Sequence, residues 1–137
     1  MSEQNKATMR RIYDDVFSRG NLDLVDEIVA PNAVDHEGGN NGPEGMKQTV
    51  TMFRTAFPDL SFTVHDLLAD GEKTIGRITI RGTHKGEFMG IAPTGKAFEV
   101  EAIDIVRFEG DKAVEHWGIT DNLALMQQLG VVPEMGP

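Results

Sequence analysis

The spacing of apolar residues changes once, at Pro58, and that change constrains the fold more than any other feature of the chain. Before it, Met9, Ile12, Tyr13, Val16 and Phe17 recur at i, i+3, i+4, i+7 and i+8, one face of a helix that ends near Gly20. Asn21 is placed to cap a second, short helix carrying Leu22, Val25, Ile28 and Val29, which Pro31 stops. Residues 33–37 read as extended and 38–42 as a glycine-rich loop. Pro43 suits a first helical position, and Met46, Val50, Phe53 and Phe57 mark a third helix. After Pro58 the period is two: strands are predicted over 61–69, 74–84, 98–108 and 113–120, with turns at Asp70-Gly71 and Glu109-Gly110-Asp111. A C-terminal helix over 122–129 stops at Gly130. Helices followed by an antiparallel meander make an α+β domain in which a curved sheet wraps over helices and leaves a cleft suited to a small molecule. With 137 residues and no linker, repeat or low-complexity stretch, residues 1–137 read as one domain.

Composition narrows the chemistry. Thirteen Lys and Arg against 22 Asp and Glu give a formal net charge of −9, and the basic residues are dispersed, so neither nucleic acid nor an anionic membrane is an expected partner. No apolar run approaches the roughly 20 residues of a membrane span, and the start lacks a secretory apolar region, so the expected location is cytoplasmic. The absence of cysteine excludes disulfides, thiolate metal sites and thiol nucleophiles, which leaves carboxylates, hydroxyls and four histidines.

Alternation puts Asp104 on the apolar face formed by Phe98, Val100, Ala102, Val106 and Phe108. Burying an unpaired carboxylate costs several kcal/mol by order of magnitude. Asp104 is therefore either a pocket acid or base, or a structural carboxylate bonded to a helix end or to Arg107. On the next strand, if Val114 faces inward, so does His116, and an Asp–His pair on neighbouring strands can transfer protons. The alternative for His116 is a satisfied core histidine. His84 ends an apolar strand side and His36 precedes the glycine-rich loop, so either can line a pocket mouth or be solvated. His65 reads as structural, Trp117 as an interface or core ring, and Asp121 as a helix N-cap or a site residue. Asp35, His36, His84, Asp104 and His116 lack helical metal-ligand spacing, so no metal site is expected. No Gly-x-Gly-x-x-Gly, phosphate loop or nucleophile elbow is present.

Three runs carry a family likeness: Arg-Gly-Thr-His-Lys-Gly-Glu-Phe-Met-Gly-Ile-Ala-Pro-Thr-Gly-Lys (81–96), Ala-Ile-Asp-Ile-Val-Arg-Phe (102–108) and Val-Glu-His-Trp-Gly-Ile-Thr-Asp (114–121). With Gly-Pro-Glu-Gly (42–45), Ala-Phe-Pro-Asp-Leu (56–60) and Gln-Gln-Leu-Gly (127–130), they span nearly the whole chain. The sequence resembles the SnoaL-like polyketide cyclases of the nuclear-transport-factor-2-like superfamily. The resemblance implies a cone-shaped α+β barrel with a hydrophobic cavity, no metal or organic cofactor, and homo-oligomers, a dimer first among them, built through the outer sheet face. It also implies an intramolecular aldol condensation of a polyketide ester by acid–base residues. Set against the family pattern, the acid–base Asp falls on Gly118 and its assisting His on Asp104, while His84 matches a His near the cavity.

The expectation is thus a cofactor-independent enzyme that removes a proton beside a carbonyl of a hydrophobic compound. Asp104 would be the base, His116 and His84 would face the oxyanion, and His36, Gly118 and Asp121 would lie around the substrate. Two alternatives stand beside it: a binding module holding an apolar ligand, and a dimerisation domain whose cone is filled by Phe53, Phe57, Phe98 and Phe108.

Overall fold

In the computed structural model, which describes residues 2–133, the change at Pro58 separates helices from sheet. Met1 and residues 134–137 of the expected domain lie outside the described residues. Helix α1 (Ser2–Arg11) begins seven residues before the apolar stripe, because its first turns are polar apart from Ala7 and show no period in the sequence. It runs into a π-helical segment over Ile12–Phe17, where the Ser18 amide bonds the Tyr13 carbonyl at 3.0 Å. A π-turn rotates the residues it contains relative to the helix before it, and such turns recur at functional sites.

Helix α2 spans Asp23–Ile28, and its N-cap is Leu22, not Asn21. The Asn21 amide instead donates to the Asp15 carbonyl, closing off the preceding helix. Val29 and Pro31, expected to end α2, belong to strand β1 (Val29–Asp35). Proline is tolerated there because β1 is an edge strand whose pairing is irregular between Val29 and Val34. Helix α3 (Gly42–Ala56) follows, with Pro43 in its first turn as the sequence predicts.

The meander consists of β2 (Ser61–Asp70), β3 (Lys73–Thr83), β4 (Ala97–Glu109) and β5 (Lys112–Thr120), and α4 (Asn122–Gln128) closes it. The order across the sheet is β1-β5-β4-β3-β2, antiparallel except for the β1–β5 pair. The concave face packs on the helices through Met9, Phe57, Ile78, Phe108, Leu125 and Leu129, all nearly inaccessible to water. Burying such side chains contributes roughly 1.5–3 kcal/mol each.

A bulge interrupts the β4–β5 ladder where Arg107 pairs with Glu115 but Phe108 pairs with Ala113. Val114 is the extra residue, so the inward position expected of it falls to Ala113. Beyond the bulge His116 still shares a face with Val106, as expected, though for this different reason. On the convex face Ile103 pairs with Ile119, and the two are 50% and 79% exposed.

Candidate active site

Asp104 sits in the middle of β4 with a glycine on either side: Gly76 on β3 and Gly118 on β5 are its direct cross-strand partners. Both glycines open space that a side chain would close. A Cβ at Gly76 would lie 2.5 Å from the Tyr13 hydroxyl, so the missing side chain admits the phenol carried by the π-helical turn. The Tyr13 hydroxyl donates to Asp104 Oδ2 at 2.7 Å. A Cβ at Gly118 would lie 2.5 Å from Asp104 Oδ1, 2.6 Å from Glu37 Oε1 and 2.9 Å from His116 Nε2. The paired glycines thus create a three-sided niche around one carboxylate.

His116 fills the β5 side. It donates from Nε2 to Asp104 Oδ1 at 2.9 Å and from Nδ1 to Asp35 Oδ1 at 2.8 Å. Burial alone would lower the imidazole's pKa, but the hydrogen bond and charge of Asp104, followed by those of Asp35, outweigh it and raise it to about 9. At neutral pH the ring is therefore an imidazolium clamped between two carboxylates. Glu37, just beyond β1, places Oε1 3.9 Å from His116 Nε2, and its Oε2 accepts from the Thr120 hydroxyl at 3.0 Å. Burial and then the Asp104 charge raise the Glu37 pKa, with Thr120 and His116 opposing them. Tyr13 is held un-ionised well above its ordinary range by burial and by the adjacent Asp104.

These groups face a cavity of about 570 Å³ between the sheet and the helices, within the usual range for a small-molecule site. Apolar walls come from Met9, Phe17, Phe53, Phe62, Ile78 and Met126, and the ionisable side chains that line it include Asp35, Glu37, Asp104, Glu115 and His116. Phe57, Phe98 and Phe108 are buried in the core, yet the cone is not filled by its own aromatics. Chemically, the arrangement is an apolar chamber with one polar corner that holds a cation, carboxylates and a phenol.

The chain matches the family described as SnoaL-like polyketide cyclase over residues 7–129. It belongs to the SnoaL-like polyketide cyclase family. The aklanonic acid methyl ester cyclase DnrD of Streptomyces peucetius is 27% identical over 128 residues, covering 89% of this chain and 88% of that protein. The cyclase AcmA of Streptomyces galilaeus, named for the same ester, is 28% identical over 137 residues, covering 95% of this chain and 92% of that protein. Among solved structures, TsrD from Streptomyces laurentii superposes with a TM-score of 0.89 at 28% identity, covering 96% of this chain and 98% of that one.

Within this SnoaL-like fold the other sequence-predicted residues lie apart from the niche. His84 is wholly buried behind the cavity wall, 5.7 Å from the Phe57 ring, where its Nδ1 accepts from the Thr94 amide at 3.2 Å. The apolar alternation that suggested a pocket mouth instead carries it into the core. His36 stacks on Trp117 at 5.1 Å and meets Glu115 Oε2 at 2.7 Å, and it is not among the residues that line the cavity. Asp121 serves as the N-cap of α4, accepting from the Ala124 amide at 3.0 Å. Gly118 borders the niche through the space it leaves.

Tyr13, Asp35 and Glu37 are the niche residues that alternation did not single out as partners of Asp104. One signal was available: Gly76 and Gly118 flank Asp104 once the strands are in register, and paired glycines around a buried carboxylate mark incoming side chains. As for metals, Glu37, Asp104 and His116 can each offer one ligand atom within 4.8 Å of the others. In this arrangement His116 Nε2 is engaged by Asp104 and its other nitrogen by Asp35, so an ion held by these three residues would replace the His116–Asp104 hydrogen bond.

Proposed function

We propose that this protein is a cofactor-independent acid–base enzyme that closes a ring in a hydrophobic polyketide-class carbonyl compound by the intramolecular carbon–carbon bond-forming (addition) step of an aldol condensation. The observation that carries the reading is the Asp104–His116 ion pair set at the one polar corner of an apolar cavity. Asp104 removes a proton from carbon beside an activated carbonyl. As Asp104 becomes neutral, its hold on His116 Nε2–H weakens, and the imidazolium turns its hydrogen to the enolate oxygen. The enolate carbon then attacks a second carbonyl of the same molecule, and the new alkoxide takes a proton. Proton transfer from a positioned group is worth typically 10²- to 10⁴-fold in rate. The apolar walls keep water from the enolate and favour a folded substrate over an extended one.

The convex face supports a homo-oligomer. Ile103, Ile119 and Leu68 are exposed on the sheet, and Trp117 lies beside them between His36 and the Lys73 ammonium, an apolar surface suited to a second copy. A cytoplasmic setting and the lack of an added cofactor remain expectations of this reading.

Aklanonic acid methyl ester is the substrate class to try, because the cyclases DnrD and AcmA carry its name. Purified protein should convert it, or a smaller ester with the same pair of carbonyls, to a cyclic product of unchanged mass. Asp104→Asn should lower the rate by at least about 10²-fold. The variant should remain folded with a lower melting temperature at neutral pH, since Asp104 is the main group that holds the His116 proton. Unchanged kinetics in that variant would remove Asp104 from the mechanism. A ligand that raises the melting temperature but is never altered would favour the binding module instead.

A further inference from the structure

Residue 118 is the one inner-face position of β5 near Asp104 that brings no side chain, and the space is occupied from another part of the chain. Glu37 reaches over from the segment that follows β1, and its Oε1 stands 2.6 Å from where a Cβ on residue 118 would be. Thr120, two residues along β5, fixes the other carboxylate oxygen at 3.0 Å. Glu37 is thereby a built-in member of the niche rather than a stray surface acid. Its side chain is 31% exposed against 14% for Asp104, and both line the cavity, so Glu37 is the carboxyl nearer the open side.

Charge counting gives Glu37 a distinct state. Three carboxyl groups, Asp35, Asp104 and Glu37, surround one imidazolium. Asp35 and Asp104 each take a short hydrogen bond from His116, and Asp104 takes a second from Tyr13. Glu37 receives no donor from His116 closer than 3.9 Å. Like charges this close resist joint ionisation, and the carboxyl with the weakest compensation keeps the proton. The direction of the Glu37 pKa shift agrees.

We propose that Glu37 is a second catalytic residue of the ring closure, the acid that delivers a proton to the alkoxide, and that Gly118 is the position that admits it. This rests on the acid–base reading above. The accounting balances. The C–H bond beside the first carbonyl breaks and its proton goes to Asp104. The electron pair forms the new C–C bond, and the second carbonyl's π pair becomes an alkoxide lone pair, which takes the Glu37 proton. Asp104 then passes its proton to Glu37, with His116 Nε2 lying between the two carboxyls. No co-reactant is consumed, and both groups return to their starting state.

The test uses the intact protein and two independent readouts. Infrared difference titration distinguishes a protonated carboxyl from a carboxylate without any substrate. The parent should show a carboxyl signal persisting above the ordinary glutamate value of 4.5, and Glu37→Gln should abolish it. A signal that survives Glu37→Gln would overturn the assignment. With aklanonic acid methyl ester, Glu37→Gln should lower kcat by about 10²-fold or more, leave KM within about threefold, and remove the Glu37 step from the pH profile of kcat, leaving the alkaline fall that His116 sets near pH 9. A uniform fall with the whole pH profile unchanged would mean that Glu37 only positions other groups, and would also overturn the proposal. Gly118→Ala should lower kcat too, but its Cβ would meet Asp104 Oδ1 at 2.5 Å as well as Glu37 Oε1 at 2.6 Å, so Glu37→Gln decides the role of Glu37. Should the parent neither convert the ester nor exchange its acidic C–H hydrogens with deuterated water, the enzyme reading falls and the catalytic role with it. The infrared signal would then still report, separately, whether Glu37 carries the proton of the niche.

Discussion

His84 and His116 both belong to the inner side of the sheet, at opposite ends of the same concave face, and their surroundings have almost nothing in common. His116 is ringed by Asp35, Glu37 and Asp104 and opens on the cavity. His84 is ringed by Phe57 and Phe88, meets only Thr94 through Nδ1, and leaves Nε2 buried without a partner among the described residues. Because the Thr94 amide donates to Nδ1, the ring hydrogen of His84 sits on that orphan Nε2. Strand alternation treats the two residues alike. What separates them is the layer above the sheet: β5 lies against β1 and the acidic segment after it, whereas the end of β3 lies under the aromatic end of α3.

The largest effect expected from this contrast is on rate. His116→Asn should lower turnover of aklanonic acid methyl ester by about 10²- to 10⁴-fold, because it removes the cation that faces the enolate. His84→Ala should leave turnover per folded molecule within about threefold. Its effect belongs to stability: a void among the aromatic rings should cost roughly 2–4 kcal/mol, read as a lower denaturant midpoint with unchanged slope. If His84→Ala slowed the reaction as much as His116→Asn, the two ends of the face would be one site.

The second effect is a pH dependence confined to the His116 end. The folded-state pKa of His116 is raised from 6.5 to about 9, so the native protein holds a proton that the unfolded chain releases. The stability this gives is fully present below pH 6.5 and is lost as pH rises through about 9, a contribution of about 3 kcal/mol. Asp35 on β1, Asp104 on β4 with its Tyr13 partner, and Glu37 after β1 are the titratable groups that face the ring. Glu37, also raised, has the same sign: its native form keeps a proton above 4.5, so stability falls as pH climbs through its folded pKa. Melting temperatures from pH 4.5 to 10 should therefore fall in the parent, fall less in Glu37→Gln, and from pH 6.5 upward change least in His116→Gln. A slope unaltered by His116→Gln would place the linked proton elsewhere.

The fold was legible because the alternation from β2 to β5 and the stripe from Met9 to Phe17 are strong periodic signals. The failures sit where polar or irregular chain does structural work. The polar start of α1 has no apolar period, and β1 carries a proline that marks helix ends elsewhere but is harmless on an irregular edge strand. In the niche, Asp104 and His116 were legible as chemistry-bearing types on paired strands. Tyr13, Asp35 and Glu37 arrive from elements far away in the chain, so their approach depends on packing that no local pattern encodes. Gly118 stands where the family pattern has an acid–base Asp and Gly76 carries no local signal, and both prove to be openings into which side chains from elsewhere reach.

The smallest effect sharpens the His116 end further. Thr120 donates to Glu37 Oε2 at 3.0 Å, and that bond favours the ionised carboxylate. Thr120→Val keeps the side-chain shape and deletes the donor, so Glu37 should hold its proton to higher pH. The Glu37 step of kcat should move upward by a fraction of a unit, and stability should change by less than about 1 kcal/mol, as for a partly exposed hydrogen bond. Thr120→Ser should keep the parent profile. The sign carries the information: a step that moved downward on losing the hydroxyl would show that Thr120 stabilises the protonated acid instead. Residue 37 would then be serving as an acceptor of the Thr120 hydrogen only in form, with its proton directed at the sheet rather than at the cavity.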